Sequence, residues 1–105
     1  MLADTFRGWG FTVLSAANGS EAVDIATRKI PDLIFMDLQM PVMGGCEATY
    51  RIRSNPATRR IPIIILSSDC EGELGNKARA AGCNECLQKP ADLATIREVV
   101  RRYIS

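Results

Sequence analysis

Histidine is absent from this sequence of 105 residues. That absence excludes Ser-His-Asp and Cys-His nucleophile pairs, imidazole metal ligands and histidine general bases. A strong net charge is also absent, because 13 Lys and Arg are balanced by 12 Asp and Glu. We therefore expect no nucleic-acid partner for this domain and no attraction to an anionic membrane. Small basic groups such as Arg51 with Arg53 are interpreted as solvated surface.

Long hydrophobic runs are lacking as well. The longest, residues 61–66, is far too short to span a bilayer, and the chain opens with no charged-then-apolar leader. We therefore predict a cytoplasmic location. Four cysteines are present, but they include a single C-x-x-C, whereas a four-thiolate zinc site usually needs two. We interpret them as small buried hydrophobic side chains in a reducing compartment.

The sequence does contain a regular alternation of apolar and amphipathic segments. The apolar runs predict strands at residues 11–16, 32–37, 62–66 and 85–88. The amphipathic segments predict helices at residues 18–29, 46–53, 71–81 and 92–104. Continuous apolar runs suit strands buried on both faces. The order predicts an α/β fold, a doubly wound parallel sheet with helices on both faces, in one domain spanning residues 1–105.

Three polar side chains come at the carboxyl ends of predicted strands, where open α/β sheets place their sites. They are Asp37, Ser67 and Lys89. A carboxylate there can act as a nucleophile and form an acyl phosphate. The hydroxyl and the ammonium can then hold the phosphoryl oxygens. Taken together, these residues predict a phosphoryl site at one edge of the sheet.

The segments that carry these residues resemble a known family. Residues 31–45 (PDLIFMDLQMPVMGG), 61–68 (IPIIILSS) and 82–90 (GCNECLQKP) are similar to the phosphoacceptor, switch-hydroxyl and lysine-proline segments of two-component response regulator receiver domains. That resemblance implies a flavodoxin-like fold with strand order 2-1-3-4-5, which is also the order given for such folds in general. The segment around residues 40–49 most resembles receivers attached to hybrid sensor kinases.

The resemblance assigns roles residue by residue. Asp37 would accept a phosphoryl group from the phosphohistidine of a histidine kinase or a histidine phosphotransfer protein. Ser67 would bind a phosphoryl oxygen and shift inward, and Lys89 would pair with the same group. The Lys89–Pro90 bond would be cis. Asp37 and the backbone carbonyl of Gln39 would be Mg²⁺ ligands, and the domain would be an acceptor rather than a turnover enzyme.

Several features depart from the family pattern. The acidic pair that follows the first strand and helps to bind Mg²⁺ has no counterpart, since Asp4 is the only acid before residue 21. We therefore expect weak Mg²⁺ binding. Residues 1–8 resemble the tail of a helix, so the first strand is expected to be missing and the domain to be N-terminally incomplete. That loss would leave two strands with unpaired edges, or a gap closed by strand exchange in a homodimer. Cys86 replaces the usual aromatic residue.

Other functions remain open. A phosphorylation-independent, receiver-like interaction module would suit the missing acids and Cys86. An aspartyl-phosphate hydrolase would need a second acid where Gln39 stands, and a flavin-binding protein would need a phosphate loop that is lacking. Alignment to the family also makes a Cys70–Cys86 disulfide, and with it a redox role, geometrically conceivable.

Overall fold

The computed structural model describes residues 13–15, 18–38 and 43–104. Four strands alternate with four helices along this part of the chain. The strands are β1 (Val13–Ser15), β2 (Leu33–Asp37), β3 (Ile63–Ser67) and β4 (Glu85–Gln88). The helices are α1 (Gly19–Lys29), α2 (Gly45–Ser54), α3 (Glu73–Ala81) and α4 (Leu93–Ile104). The predicted alternation is confirmed, and most element boundaries fall within two residues of the predicted ones.

The described strands form one parallel sheet in the order β1-β2-β3-β4. Asp37 at the end of β2 is opposite Leu66, and Ser67 at the end of β3 is opposite Gln88. The carboxyl ends of the last three strands are therefore aligned at one edge. This register is what brings the predicted site residues together.

Two hydrophobic clusters cover the two faces of the sheet. The first packs Ile34, Met36, Ile63 and Ile65 against small and aliphatic residues of α1, α2 and α3. The second packs Leu33, Phe35 and Ile64 against α4. Alternate residues of the same strand thus point to opposite cores, as period-2 geometry requires. This explains why the strand sequences are apolar without interruption, and it confirms helices on both faces.

Local hydrogen bonds cap the start of α1 and the end of α3. The Asn18 side chain accepts a hydrogen bond from the amide of Glu21 at 2.8 Å, which makes Asn18 the N-cap of α1. Helix α3 ends at Gly82, whose φ of 112° is a left-handed conformation that side chains disfavour. These caps define where two of the helices begin and end.

The expected gap between strands is not found. Val13, Leu14 and Ser15 pair directly in parallel with Leu33, Ile34 and Phe35, so the prediction of unpaired edges between β1 and β2 is wrong. Unpaired backbone groups inside a sheet are costly, and direct pairing satisfies them. The described strands therefore offer no opening for a strand exchanged in a dimer. The predicted helix tail at residues 1–8, with Asp4, lies outside the described residues.

The interpretation of Arg53 as a solvated residue is also wrong. Its guanidinium donates hydrogen bonds to the carbonyls of Gly82, Arg59 and Ile61 and to Oδ1 of Asn84, at 2.8–3.0 Å. These partners lie in the segments that lead into β3 and β4. Arg53 therefore joins the end of α2 to the starts of both strands.

The four described helices were also compared with the length and hydropathy that a membrane span needs, and none of them meets both requirements.

Candidate functional site

The site is built at the carboxyl ends of β2, β3 and β4. Asp37 is the last residue of β2, and Ser67 is the last residue of the neighbouring β3. Lys89 follows β4 directly, and its amide donates to the carbonyl of Ser67 at 2.8 Å. Because β3 lies between β2 and β4, the Ser67 position separates the other two residues. The structure thus brings the three predicted residues together.

An ion pair spans the site. The Lys89 ammonium donates to Oδ2 of Asp37 across the end of β3. Both side chains remain accessible, with 38% of Asp37 and 42% of Lys89 exposed to solvent. An accessible carboxylate can meet a reactant, and an ammonium beside it can hold oxygens added to that carboxylate. The Lys89–Pro90 peptide bond is cis, as the resemblance implies.

Ser67 occupies a different environment. Only 3% of the residue is exposed, and its Oγ accepts a hydrogen bond from the amide of Asp69 at 3.1 Å. The hydroxyl is therefore engaged by its own loop. Because Oγ is the acceptor in this bond, the hydroxyl keeps its own proton and can donate it to an oxygen attached to Asp37. Asp37 and Lys89 are thus in contact and accessible, whereas Ser67 is buried.

The loop after Ser67 is held against β4 by side-chain contacts that are mostly not evident from the sequence. The Gln88 side chain donates to the carbonyl of Ser68 and accepts from the amide of Cys70 at 3.1 Å. Cys70 also forms a disulfide with Cys86. The interpretation of these two cysteines as free hydrophobic side chains is therefore wrong, whereas Cys46 and Cys83 are free and half-buried. Gln88 could have been found by its place just before Lys89 at a strand end.

Of the two metal ligands predicted from the sequence, Asp37 lies within the described residues. Gln39 lies outside the described residues. Within the described ranges, no group of three or more Cys, Asp or Glu side chains could hold a metal ion. Asp37 offers a carboxylate at the described site, with 38% of its side chain exposed. Mg²⁺ can be bound by one or two carboxylates with water and phosphate oxygens, so these residues fit a weakly held ion.

Comparison with known families and relatives identifies the fold. The family model described as response regulator receiver domain matches residues 1–101. A Bacillus subtilis sporulation initiation phosphotransferase F is 31% identical over 99% of this chain and 82% of its own length. A hybrid signal transduction histidine kinase G of Dictyostelium discoideum is 48% identical over 84% of this chain. The chain spans only 3% of that kinase's length.

Solved structures agree in three dimensions. The receiver domain of sensor histidine kinase PA1611 from Pseudomonas aeruginosa, with a magnesium ion coordinated in its active site cleft, superposes with a TM-score of 0.85 at 34% identity. The superposition covers 98% of this chain and 84% of that one. The chemotaxis response regulator CheY4 of Vibrio cholerae gives a TM-score of 0.86 at 30% identity, over 98% and 86% of the two chains. With this fold and these matches, the chain belongs to the response regulator receiver domain family of two-component signalling.

Proposed function

We propose that this receiver domain accepts a phosphoryl group on Asp37 from a phosphohistidine of a histidine kinase or a histidine phosphotransfer protein. The observation that supports this most is the grouping of Asp37, Ser67 and Lys89 at three aligned strand ends, with the Lys89 ammonium on the Asp37 carboxylate. The 105 residues contain no histidine, so the donor imidazole must come from another domain or chain.

The reaction is a transfer of phosphorus from nitrogen to oxygen. A carboxylate oxygen of Asp37 attacks the phosphorus, a P–O bond forms, and the P–N bond to the donor imidazole breaks. The exposed side chain of Asp37 allows the donor to approach. Such transfers depend mainly on positioning and on stabilising the charge of the phosphoryl oxygens. The acyl phosphate then remains on the domain as its signal.

Lys89 and Ser67 divide the work of stabilising that charge. Before transfer, the Lys89 ammonium neutralises the Asp37 carboxylate. After transfer, the same ammonium needs to move only a short way to reach the phosphoryl oxygens, which carry more negative charge. The Ser67 hydroxyl, whose oxygen accepts from the Asp69 amide, would shift inward and donate its proton to one of those oxygens. Lys89 would therefore neutralise the charge of the phosphoryl group, and the shift of Ser67 would change the conformation of the loop that follows it.

Magnesium is the cofactor that this site would use. Asp37 would hold the ion together with the backbone carbonyl of Gln39, water and phosphoryl oxygens. When bound, Mg²⁺ supplies positive charge that offsets the charge of the phosphoryl group. Because no group of three or more Cys, Asp or Glu side chains among the described residues could hold a metal ion, we expect Mg²⁺ to bind weakly in the absence of phosphate.

Acetyl phosphate provides a direct test of the acceptor role. The chain is incubated with acetyl phosphate and Mg²⁺, and intact-mass spectrometry counts the phosphoryl groups per molecule. We expect one group on the wild type and none on Asp37→Asn. Asp32→Asn is the matched control, because Asp32 immediately precedes the same strand at its opposite end. Phosphorylation of Asp37→Asn, or none on a folded wild type, would overturn the proposal.

A second candidate is a phosphorylation-independent interaction module. It is favoured by the lack, among the described residues, of a group of three or more side chains that could hold a metal ion, which limits Mg²⁺ binding. In that case, binding to a partner kinase would be unchanged by Asp37→Asn or by chelating Mg²⁺. The phosphoacceptor function instead requires binding or release that differs between the phosphorylated and unphosphorylated forms.

We also propose that the phosphoacceptor domain is cytoplasmic, where kinase domains could reach Asp37.

A further inference from the structure

The Cys70–Cys86 disulfide lies close to the candidate site without belonging to it. Cys70 is in the loop after β3, and Cys86 is in β4, with their Cα atoms 5.7 Å apart. This Cα–Cα separation is ordinary for a disulfide. The same backbone can also hold the two cysteines as reduced thiols. Cys70 is 6% exposed, whereas Cys86 is half-buried.

The disulfide is connected to the site through a segment of four residues. This segment, residues 67–70, begins at Ser67 and ends at Cys70. Within it, the amide of Asp69 donates to Oγ of Ser67, and Sγ of Cys70 lies 3.8 Å from the carbonyl oxygen of Ser67. That carbonyl also accepts from the amide of Lys89. A covalent tie at residue 70 therefore acts on the same few atoms that position the hydroxyl of Ser67.

Residue 70 is also held on its other sides. The Cys70 amide donates to the side chain of Gln88, and its carbonyl accepts from Arg79 of α3 at 2.9 Å. Gly75 of α3 is so near that an added Cβ would lie 1.8 Å from the Cys70 carbonyl oxygen. The noncovalent contacts set the position of the loop. The disulfide adds a bond to β4 that cannot open unless it is reduced.

We propose that Cys70 and Cys86 form a redox site that controls phosphoryl acceptance at Asp37, an inference that rests on the proposed function. In the oxidised form, the tie opposes the shift of residues 67–70 that carries the Ser67 hydroxyl to the phosphoryl oxygen. In the reduced form, residues 67–70 can move, and Ser67 reaches the phosphoryl oxygen more readily. Reduced protein is therefore the more active acceptor.

The chemistry needs a small-molecule disulfide as the oxidant, such as oxidised glutathione. One cysteine thiolate attacks this disulfide, a mixed disulfide forms, and one small thiolate leaves. The second cysteine then attacks the mixed disulfide, and the Cys70–Cys86 bond forms as another small thiolate leaves. Overall, two protein thiols are oxidised and one small disulfide is reduced to two thiols. A dithiol reverses both steps.

The other two cysteines provide matched controls. Cys46 and Cys83 are free and half-buried, and burial raises the pKa of both thiols, which lowers their thiolate fraction. They lie outside residues 67–70. The double variant Cys46→Ser/Cys83→Ser should therefore keep the full redox response. Cys86→Ser removes the tie while keeping a side chain of similar size.

The test compares phosphorylation rates by acetyl phosphate after equilibration with oxidised glutathione or with dithiothreitol. Alkylation and peptide mass spectrometry establish the thiol state in each sample. We expect reduced wild type to react about fivefold faster or more, at the lower end of typical coupling between sites. Cys86→Ser should react at the reduced rate in both conditions. Equal rates for verified oxidised and reduced protein, or only free thiols after oxidation, would overturn the proposal.

Hydrogen exchange separates this inference from the proposed function. In reduced protein, we expect faster amide exchange in the peptide containing residues 67–70, with unchanged exchange in α1. If neither form accepts phosphate, the proposed function fails and the control of acceptance fails with it. Faster exchange would then still establish that the disulfide restrains this segment. Unchanged exchange would refute the restraint, whatever the phosphorylation result.

Discussion

Replacing Arg53 with alanine should remove one of the main polar connections between helix α2 and the sheet. The guanidinium bonds the carbonyls of Gly82, Arg59 and Ile61 and the side chain of Asn84. Asn84 also accepts from the amide of Ile63, where β3 begins. The substitution therefore removes four hydrogen bonds, and their four acceptor oxygens lose the guanidinium donor.

The magnitude follows from the two bonds that are partly buried, those to Gly82 and Ile61. A hydrogen bond from a charged donor contributes about 1.5–3 kcal/mol. We take the lower value because Arg53 is only half-buried, and the two exposed bonds add little. The expected loss is therefore about 3 kcal/mol, two bonds at about 1.5 each. For a domain of this size, such a loss lowers Tm by about 12–24 °C.

Urea unfolding, followed by circular dichroism, measures this loss. Arg51→Ala is the control, because Arg51 lies two residues away and pairs only with exposed Glu47 among the contacts described for it. Such a pair contributes about 0.3–0.5 kcal/mol. If Arg53→Ala is too unstable to purify, Arg53→Lys keeps the charge and should still lose more than Arg51→Ala. Equal losses for the position 51 and 53 variants would refute the reasoning.

Three further predictions concern local structure. Asn18→Ala removes an N-cap and should cost about 1 kcal/mol by urea unfolding, so an unchanged midpoint would contradict the cap. Gly75→Ala places a Cβ against the Cys70 carbonyl and should cost about 1–3 kcal/mol in the same assay, whereas a neutral result would deny the close approach. The Thr95 amide donates to the Asp92 carboxylate and lowers the pKa of that group. The stabilisation of the folded protein by this hydrogen bond is therefore present above about pH 4 and is lost as pH falls through the folded pKa. Unfolding titrations should therefore show a shallower acid decline in Asp92→Asn, and identical slopes would contradict this.

The elements and the meeting of Asp37, Ser67 and Lys89 could be predicted because both depend on local patterns. Buried parallel strands are apolar along their whole length, and their carboxyl ends share one edge. The polar residue that ends each run is therefore placed by the fold itself. The register confirms the arrangement by setting Asp37 opposite Leu66 and Ser67 opposite Gln88.

The features that could not be predicted depend on contacts distant in sequence. Arg53 donates a hydrogen bond to a carbonyl 29 residues away. Because every residue has a backbone carbonyl, the sequence does not indicate which one will be the acceptor. The pairing of Cys70 with Cys86 could not be deduced from the residues alone, because four cysteines allow several connectivities. The direct pairing of β1 with β2 reflects strand order, which the strand sequences do not encode.

Phosphotransfer from a donor protein tests the central claim most directly. A histidine phosphotransfer protein carrying radiolabelled phosphohistidine is mixed with the chain in Mg²⁺, and the label on each protein is followed by gel electrophoresis. We expect the label to move to wild type and to Asp32→Asn, and to remain on the donor with Asp37→Asn. Transfer to Asp37→Asn at the wild-type rate, or none to a folded wild type from any of a panel of such donors, would contradict the account.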